Sequence, residues 1–214
     1  ISVNKAIKII LSQAKTLPKE KILSVNSLGR ILSENIYAKI YNPPENVSSM
    51  DGYAVKYSNL KHLNKNPIKI IGESSAGSPF RKRINNNECI RIYTGAVVPS
   101  STDTILLQER VKTINNYIIN TTQNYKRNQY IRDKGSNFKK NKLIVKKNSF
   151  ISSRILGLMV SANNEKINVF KKPTIAILAT GNELKVLGQY NGKGIISSNS
   201  SLLSSMLSSS GANI

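Results

Sequence analysis

The chain is poor in the residues that most site chemistries need. It has one cysteine, Cys89, one histidine, His62, and no tryptophan in 214 residues. A single cysteine excludes an internal disulfide and a cysteine-cluster zinc site. A single histidine excludes a His-pair metal centre and leaves little room for a Ser-His-Asp triad. Any metal must then be held by oxygen, which points to magnesium-like chemistry. Acids are scarce too, 11 Asp+Glu against 32 Lys+Arg, for a net charge of +21. No apolar run approaches the roughly eighteen residues of a membrane span. The start, Ile1-Ser2-Val3-Asn4-Lys5, lacks a signal peptide's apolar block. The expectation is a cytoplasmic protein with no membrane partner. The chain does not begin with methionine, so a fragment or trimmed product is expected.

What is present is ordinary globular material, with 39% hydrophobic and 20% charged residues. A wholly disordered chain is excluded, and the length suits one large domain or two modest ones. The charge has two readings. Phosphate contacts of a nucleic acid are the blunt one. The other is compositional drift, since Lys exceeds Arg and Asn and Ile abound throughout. Arg81-Lys82-Arg83, Lys139-Lys140 and Lys171-Lys172 are short, scattered and without interleaved aromatics. Drift explains the pattern better, and a nucleic-acid binder is the lesser alternative.

Val3, Ala6, Ile7, Ile10, Leu11 and Ala14 recur at helical spacing, with Ser2 placed as a cap and Pro18 as a stop. A second short helix is expected around Leu28, Ile31 and Leu32, followed by a strand at Ile36–Ile40. Asn42-Pro43-Pro44 breaks the pattern. From there to about residue 137 the text is short strands and turns, including a hairpin at Asn115-Asn116, because Asn tolerates positive φ. A helix through Ile155, Leu158, Met159 and Ala162 follows, capped by Ser152. Thr174–Ala179 then reads as a strand, Leu202, Leu203, Met206 and Leu207 as a helix, and Ala212–Ile214 as the next strand. That order opens a βαβ unit.

Several loops carry polar groups beside glycine. Met50-Asp51-Gly52-Tyr53-Ala54-Val55 sets a carboxylate before a strand, although an Asp-Gly turn alone would explain it. Arg91-Ile92-Tyr93-Thr94-Gly95-Ala96 ends a strand with a hydroxyl and a glycine. Ala179-Thr180-Gly181-Asn182-Glu183-Leu184 lies past a strand's carboxyl end, where open α/β sheets bind ligands. Ser198-Asn199-Ser200 opens a helix, whose free N–H groups suit an oxyanion; simple capping explains these residues equally well.

Together these segments resemble the molybdopterin molybdenumtransferase family, the molybdenum insertases related to the gephyrin E-domain. The matching order runs Pro43-Pro44, Met50 to Val55, Ala76-Gly77-Ser78-Pro79-Phe80, Arg91 to Ala96, Val98-Pro99, Thr102-Asp103 and Gln108-Glu109. It continues through Ile131-Arg132, Gly135, Leu156-Gly157-Leu158, Thr180 to Leu184, Ser198 to Ser200 and Gly211-Ala212. The resemblance implies an α+β and α/β multidomain fold. Residues 1–40 with 138–171 would form a split helix/strand domain around an inserted β-rich domain at 41–137. Residues 172–214 would be the truncated start of an α/β molybdopterin-binding domain.

The resemblance also implies a reaction: molybdenum from molybdate enters adenylylated molybdopterin, with Mg²⁺ and release of AMP, in a homodimer. Catalysis falls to Asp51, Thr94 and Glu183, with Asp51 and Glu183 as metal ligands. Gly181, Asn182, Ser198, Asn199 and Ser200 fall to substrate binding. Asp51 and Thr94 of one chain are expected opposite Glu183 of the partner. The chain departs from the family at Ser136 and Asn137, where the pattern has Glu and Asp, and at Asn182 and Ser197, often Asp. A catalytically inactive, dimerising remnant is the alternative these neutral replacements allow.

Overall fold

Internal contacts in the structure, a computed structural model describing residues 1–63 and 65–214, gather the chain into two units. One joins Ile1–Tyr37 to Leu143–Ile214; the other is Ala38–Lys142. The outgoing leg of the first unit holds α1 (Val3–Gln13), β1 (Lys19–Leu23) and β2 (Ile36–Tyr37). The second unit holds β3 (Val47–Ser48), β4 (Gly52–Val55), β5 (Ile68–Ser74), β6 (Glu88–Ile92), β7 (Thr104–Leu107), β8 (Val111–Ile114), β9 (Tyr117–Thr121) and β10 (Ile131–Arg132). The return leg adds β11 (Leu143–Val145), α2 (Ser153–Ser161), β12 (Lys166–Phe170), β13 (Leu184–Lys185), β14 (Ile195–Ile196) and α3 (Asn199–Ser209).

In the first unit the two expected caps are in place. Ser2 Oγ accepts from the Lys5 N–H, and Ser152 Oγ from the Ile155 N–H, each at 3.4 Å. Each cap satisfies one of the donors that a helix start leaves orphaned. The apolar face of α1 is nonetheless in solvent, with Val3, Ile7, Ile10 and Leu11 all exposed. The core lies elsewhere. Leu32, Ile36, Val145, Ile151, Met159, Ile167 and Val169 are buried together. β1 pairs antiparallel with β12, and β2 with β11.

Three expectations fail here, one being the strand at Ala212–Ile214, where only Asn213 forms a bridge. The chain at Leu28–Leu32 is not helical: it turns at Gly29, φ +76°, and Ile31 and Leu32 bridge to Phe150 and Val169. Three apolar residues at helical spacing are outweighed by burial of Leu32 and by Arg30, which binds Glu20 and the Phe170 carbonyl. Thr174–Ala179 also forms no continuous strand. Only Thr174 bridges, in parallel, to Asn213, with the Ile175 N–H donating to the Asn213 carbonyl at 2.8 Å. An apolar run becomes a strand only where its N–H and C=O groups find a ladder. Leu178 remains 86% exposed.

The second unit is built on a six-stranded sheet in the order β7-β4-β6-β5-β9-β8, antiparallel except for β5 beside β6. Both faces are covered. Tyr53, Val55, Cys89, Leu106 and Ile118 belong to one buried cluster, while Ala54, Ile90, Ile92 and Ile105 belong to the other. Alternate residues of β4 therefore serve opposite cores, and all four are buried. The expected hairpin joins β8 to β9, with Asn115 at φ 47° and Asn116 at φ 62°.

Candidate functional site

Asp51 and Thr94 meet at the ends of neighbouring strands. β4 and β6 run antiparallel with Gly52 opposite Ile92, so the residue before β4 lies near the turn after β6. That turn is closed by the Ala96 N–H on the Tyr93 carbonyl at 2.9 Å and needs Gly95 at φ +81°. The Gly95 N–H binds the Ser48 carbonyl at 2.8 Å, and the Gln108 N–H binds the Asp51 carbonyl at 3.3 Å. Gly52 is dictated by close approach: a Cβ there would fall onto the Leu106 carbonyl oxygen of β7. The Asp-Gly pair is thus set by the sheet as well as by any ligand.

The side chains then lock. Asp51 Oδ1 accepts from the Thr94 N–H at 2.7 Å and from the Thr94 hydroxyl at 2.8 Å. These two donors hold the Asp51 carboxyl below its ordinary range, and the positive charge of Arg91 adds to the effect. Among the described residues Oδ2 has no partner. Asp51 is therefore a fixed, ionised carboxylate with one oxygen open to solvent.

A second station lies in the first unit. A cavity of about 450 Å³ is lined by Thr180, Glu183, Ser198, Asn199 and Ser200 among others. β13 and β14 pair in parallel beside it, and the Ile195 N–H donates to the Glu183 carbonyl at 2.9 Å. A Cβ on Gly194 would fall onto that carbonyl, and one on Gly181 would sit 2.6 Å from a Glu183 carboxylate oxygen. Gly194 lets the backbone pass Glu183 closely, while Gly181 faces the movable end of the Glu183 side chain. Ser198 makes no side-chain cap on α3. Capping therefore does not account for Ser198, and the first N–H groups of α3 stay available beside the cavity.

Of the residues expected from the sequence, Asp51 and Thr94 are in direct contact, and Glu183, Ser198, Asn199 and Ser200 line one cavity. Gly181 lies against Glu183, while Asn182 is not part of the cavity wall. Other motif residues turn out to hold loops. Asp103 accepts from the Tyr57 N–H at 2.6 Å and pairs with Arg127 at 2.8 Å. Thr102 Oγ1 donates to the Pro99 carbonyl at 2.8 Å. The neutral residues Ser136 and Asn137 both accept from Arg132, and Asn137 also reaches Asn42 at 2.9 Å. Among the described residues no three of His, Cys, Asp and Glu converge as a metal cluster.

Sequence reading missed Arg91 and Gln108. Arg91 Nη2 donates to Gln108 Oε1 at 2.9 Å, and its guanidinium lies 5.2 Å from the centre of the Tyr93 ring. The signal was available, because Arg91 falls within the Arg91–Ala96 motif, on the strand that delivers Thr94.

The chain is similar over most of its length to known proteins. A family model described as the MoeA N-terminal region (domain I and II) matches residues 1–163. A Staphylococcus epidermidis protein named molybdopterin molybdenumtransferase is 30% identical over 188 residues, 86% of this chain and 44% of its own length. One of the same name from Haemophilus influenzae is 31% identical over 161 residues, covering 75% of this chain and 39% of the relative. A crystal structure of a Pyrococcus horikoshii protein, titled a molybdopterin biosynthesis MoeA protein, superposes with a TM-score of 0.83 at 27% identity. It covers all of this chain and 55% of the other. The chain thus spans less than half the length of these curated relatives. With a family model matching residues 1–163 and relatives and a solved structure of the same kind aligned to it, the chain belongs to the MoeA family.

Proposed function

We propose that this chain serves molybdenum cofactor biosynthesis as part of a molybdopterin molybdenumtransferase. The reaction moves molybdenum from molybdate onto adenylylated molybdopterin and releases AMP. The observation that carries this reading is the Asp51 carboxylate, clamped on one oxygen by Thr94 and open on the other. Molybdate and the adenylate linkage are both oxyanions, so their charge must be offset before they meet. Mg²⁺ takes one or two carboxylates together with water and substrate phosphate. Asp51 fits such a site, with the Thr94 hydroxyl oxygen beside it, and Glu183 supplies an equivalent carboxylate at the second station. The ion would supply charge neutralisation and polarisation of the phosphoryl oxygens.

In this reading the cavity around Glu183 takes the pterin nucleotide. The uncapped start of α3 meets its phosphates, and Ser198, Asn199 and Ser200 offer hydroxyl and amide donors. Residues 172–214 are then part of an α/β molybdopterin-binding piece. The bare apolar face of α1 favours a homodimer, since a helix that buries none of its residues covers no apolar area without a partner.

The test is AMP release from adenylylated molybdopterin in the presence of molybdate and Mg²⁺, comparing the chain with Asp51→Asn. This change keeps the volume and removes the charge. A loss of at least a hundredfold is expected with the fold intact, and equal release from the variant refutes the reading of Asp51. A full-length version that releases no AMP at all, yet dimerises, is the inactive remnant instead.

A further inference from the structure

Arg91 is a cation that the fold fixes in place without neutralising it. It sits mid-sheet on β6, opposite Tyr53 of β4 and Glu73 of β5. Its guanidinium lies against the Tyr93 ring, and one Nη2–H goes to Gln108 Oε1. Gln108 is itself oriented, since its amide nitrogen donates to Glu109 Oε1 at 3.0 Å, leaving its oxygen for Arg91. The same Gln108 binds the Asp51 carbonyl through its backbone N–H. The ion pairs among the described residues are Arg30–Glu20, Arg81–Glu45 and Arg127–Asp103, and none involves Arg91. Glu73, its register neighbour, takes the Tyr93 hydroxyl instead, at 3.5 Å.

A fixed guanidinium and a fixed carboxylate therefore stand near one another where β4 begins and β6 ends, each with open capacity and neither collapsed onto the other. Such a pair suits a cation and an oxyanion bound side by side. We propose that Arg91 holds a tetrahedral oxyanion beside the cation station of Asp51. The open N–H groups of its planar fork grip two oxygens of that anion. Holding such a group on a central strand leaves little rotamer freedom to lose on binding. The chemical class is a doubly charged tetrahedral oxyanion, with molybdate and sulfate both qualifying by charge and shape. This inference rests on the reading of Asp51 and Thr94 as site residues.

Equilibrium dialysis of the 214-residue chain against molybdate, and separately sulfate, with and without Mg²⁺, tests it. Arg91→Gln is expected to weaken oxyanion binding about tenfold or more, the loss of a charge-assisted fork. Arg83→Gln removes the same charge from an exposed residue and should stay within about twofold. Should Arg91→Gln fail to fold, Arg91→Lys keeps the charge but loses the fork, and a drop of about threefold or more is expected. The proposal is overturned by wild-type affinity in folded Arg91 variants, by an equal loss in Arg83→Gln, or by a parent chain that takes up neither anion. Asp51→Asn separates the two claims. If Mg²⁺ still strengthens anion binding in that variant while Arg91→Gln abolishes it, the metal reading of Asp51 fails and the role of Arg91 stands.

Discussion

Replacing Gly52 with alanine should be among the most damaging methyl additions in this chain. An alanine Cβ at position 52 would overlap the Leu106 carbonyl oxygen, inside the 3.0 Å that real Cβ atoms keep. The obstacle is backbone of a paired strand, with Gly52 to Val55 in register with Leu107 to Thr104. β4 cannot swing away, because its other edge is bound to β6 and every one of its residues is buried. Relief therefore requires prying β4 from β7 at its first pair. Losing one or two ladder hydrogen bonds costs about 1–3 kcal/mol, and overpacking adds about 1–3 kcal/mol. The lower unfolded-state entropy of alanine returns about 0.5–1 kcal/mol. A net loss of roughly 1–5 kcal/mol follows. Urea unfolding followed by tyrosine fluorescence measures it, as the chain lacks tryptophan. Gly157→Ala is the control: it lies in α2 with nothing within 4 Å of its added Cβ, and should gain about 0.5–1 kcal/mol. If Gly52→Ala unfolds within about 0.5 kcal/mol of the parent, the close approach of β4 and β7 is refuted.

Thr94→Val removes the hydroxyl donor from Asp51 and should raise the Asp51 pKa towards its ordinary range, read from its carboxyl carbon in an NMR titration. Because the folded value is depressed, the stabilisation from this contact is present above the unfolded pKa. It fades as pH falls through the folded one, and the variant, which keeps the Thr94 N–H, should show a weaker acid-range dependence. An unchanged titration refutes the clamp. Burial in β6 pushes the Cys89 thiol up to about 12. The native chain at pH 8 should resist a thiol reagent and label fully in urea; rapid native labelling would place Cys89 outside the core.

The sequence made some of this legible because certain residues have only one economical use. Ser2 and Ser152 can cap, and Asn115-Asn116 can take positive φ, so those elements were readable locally. The motif order singles out Asp51 and Thr94, which are in contact, and Glu183, which lines a cavity. What stayed hidden depends on partners far along the chain. Three of the five residues of β1 are charged, and it is a strand only because residues 166–170 lie beside it. Leu28–Leu32 has a helical spacing that a buried Leu32 and the Arg30–Glu20 contact overrule. Arg91 escaped notice because nothing in a strand's alternation says that its charge will go unpaired.

The second unit opens and closes on paired backbone. Tyr37 and Leu143 are register partners, and just inside them the Ala38 N–H meets the Lys142 carbonyl at 2.9 Å. Across such a pair the two crossing strands stand about 5 Å apart. A two-residue turn spans that gap. In topological terms the whole of Ala38–Lys142 is an elaborate hairpin loop grafted onto a short ladder. The first unit keeps one buried cluster of its own and the second keeps two, so lengthening that loop leaves the ladder that closes it in place.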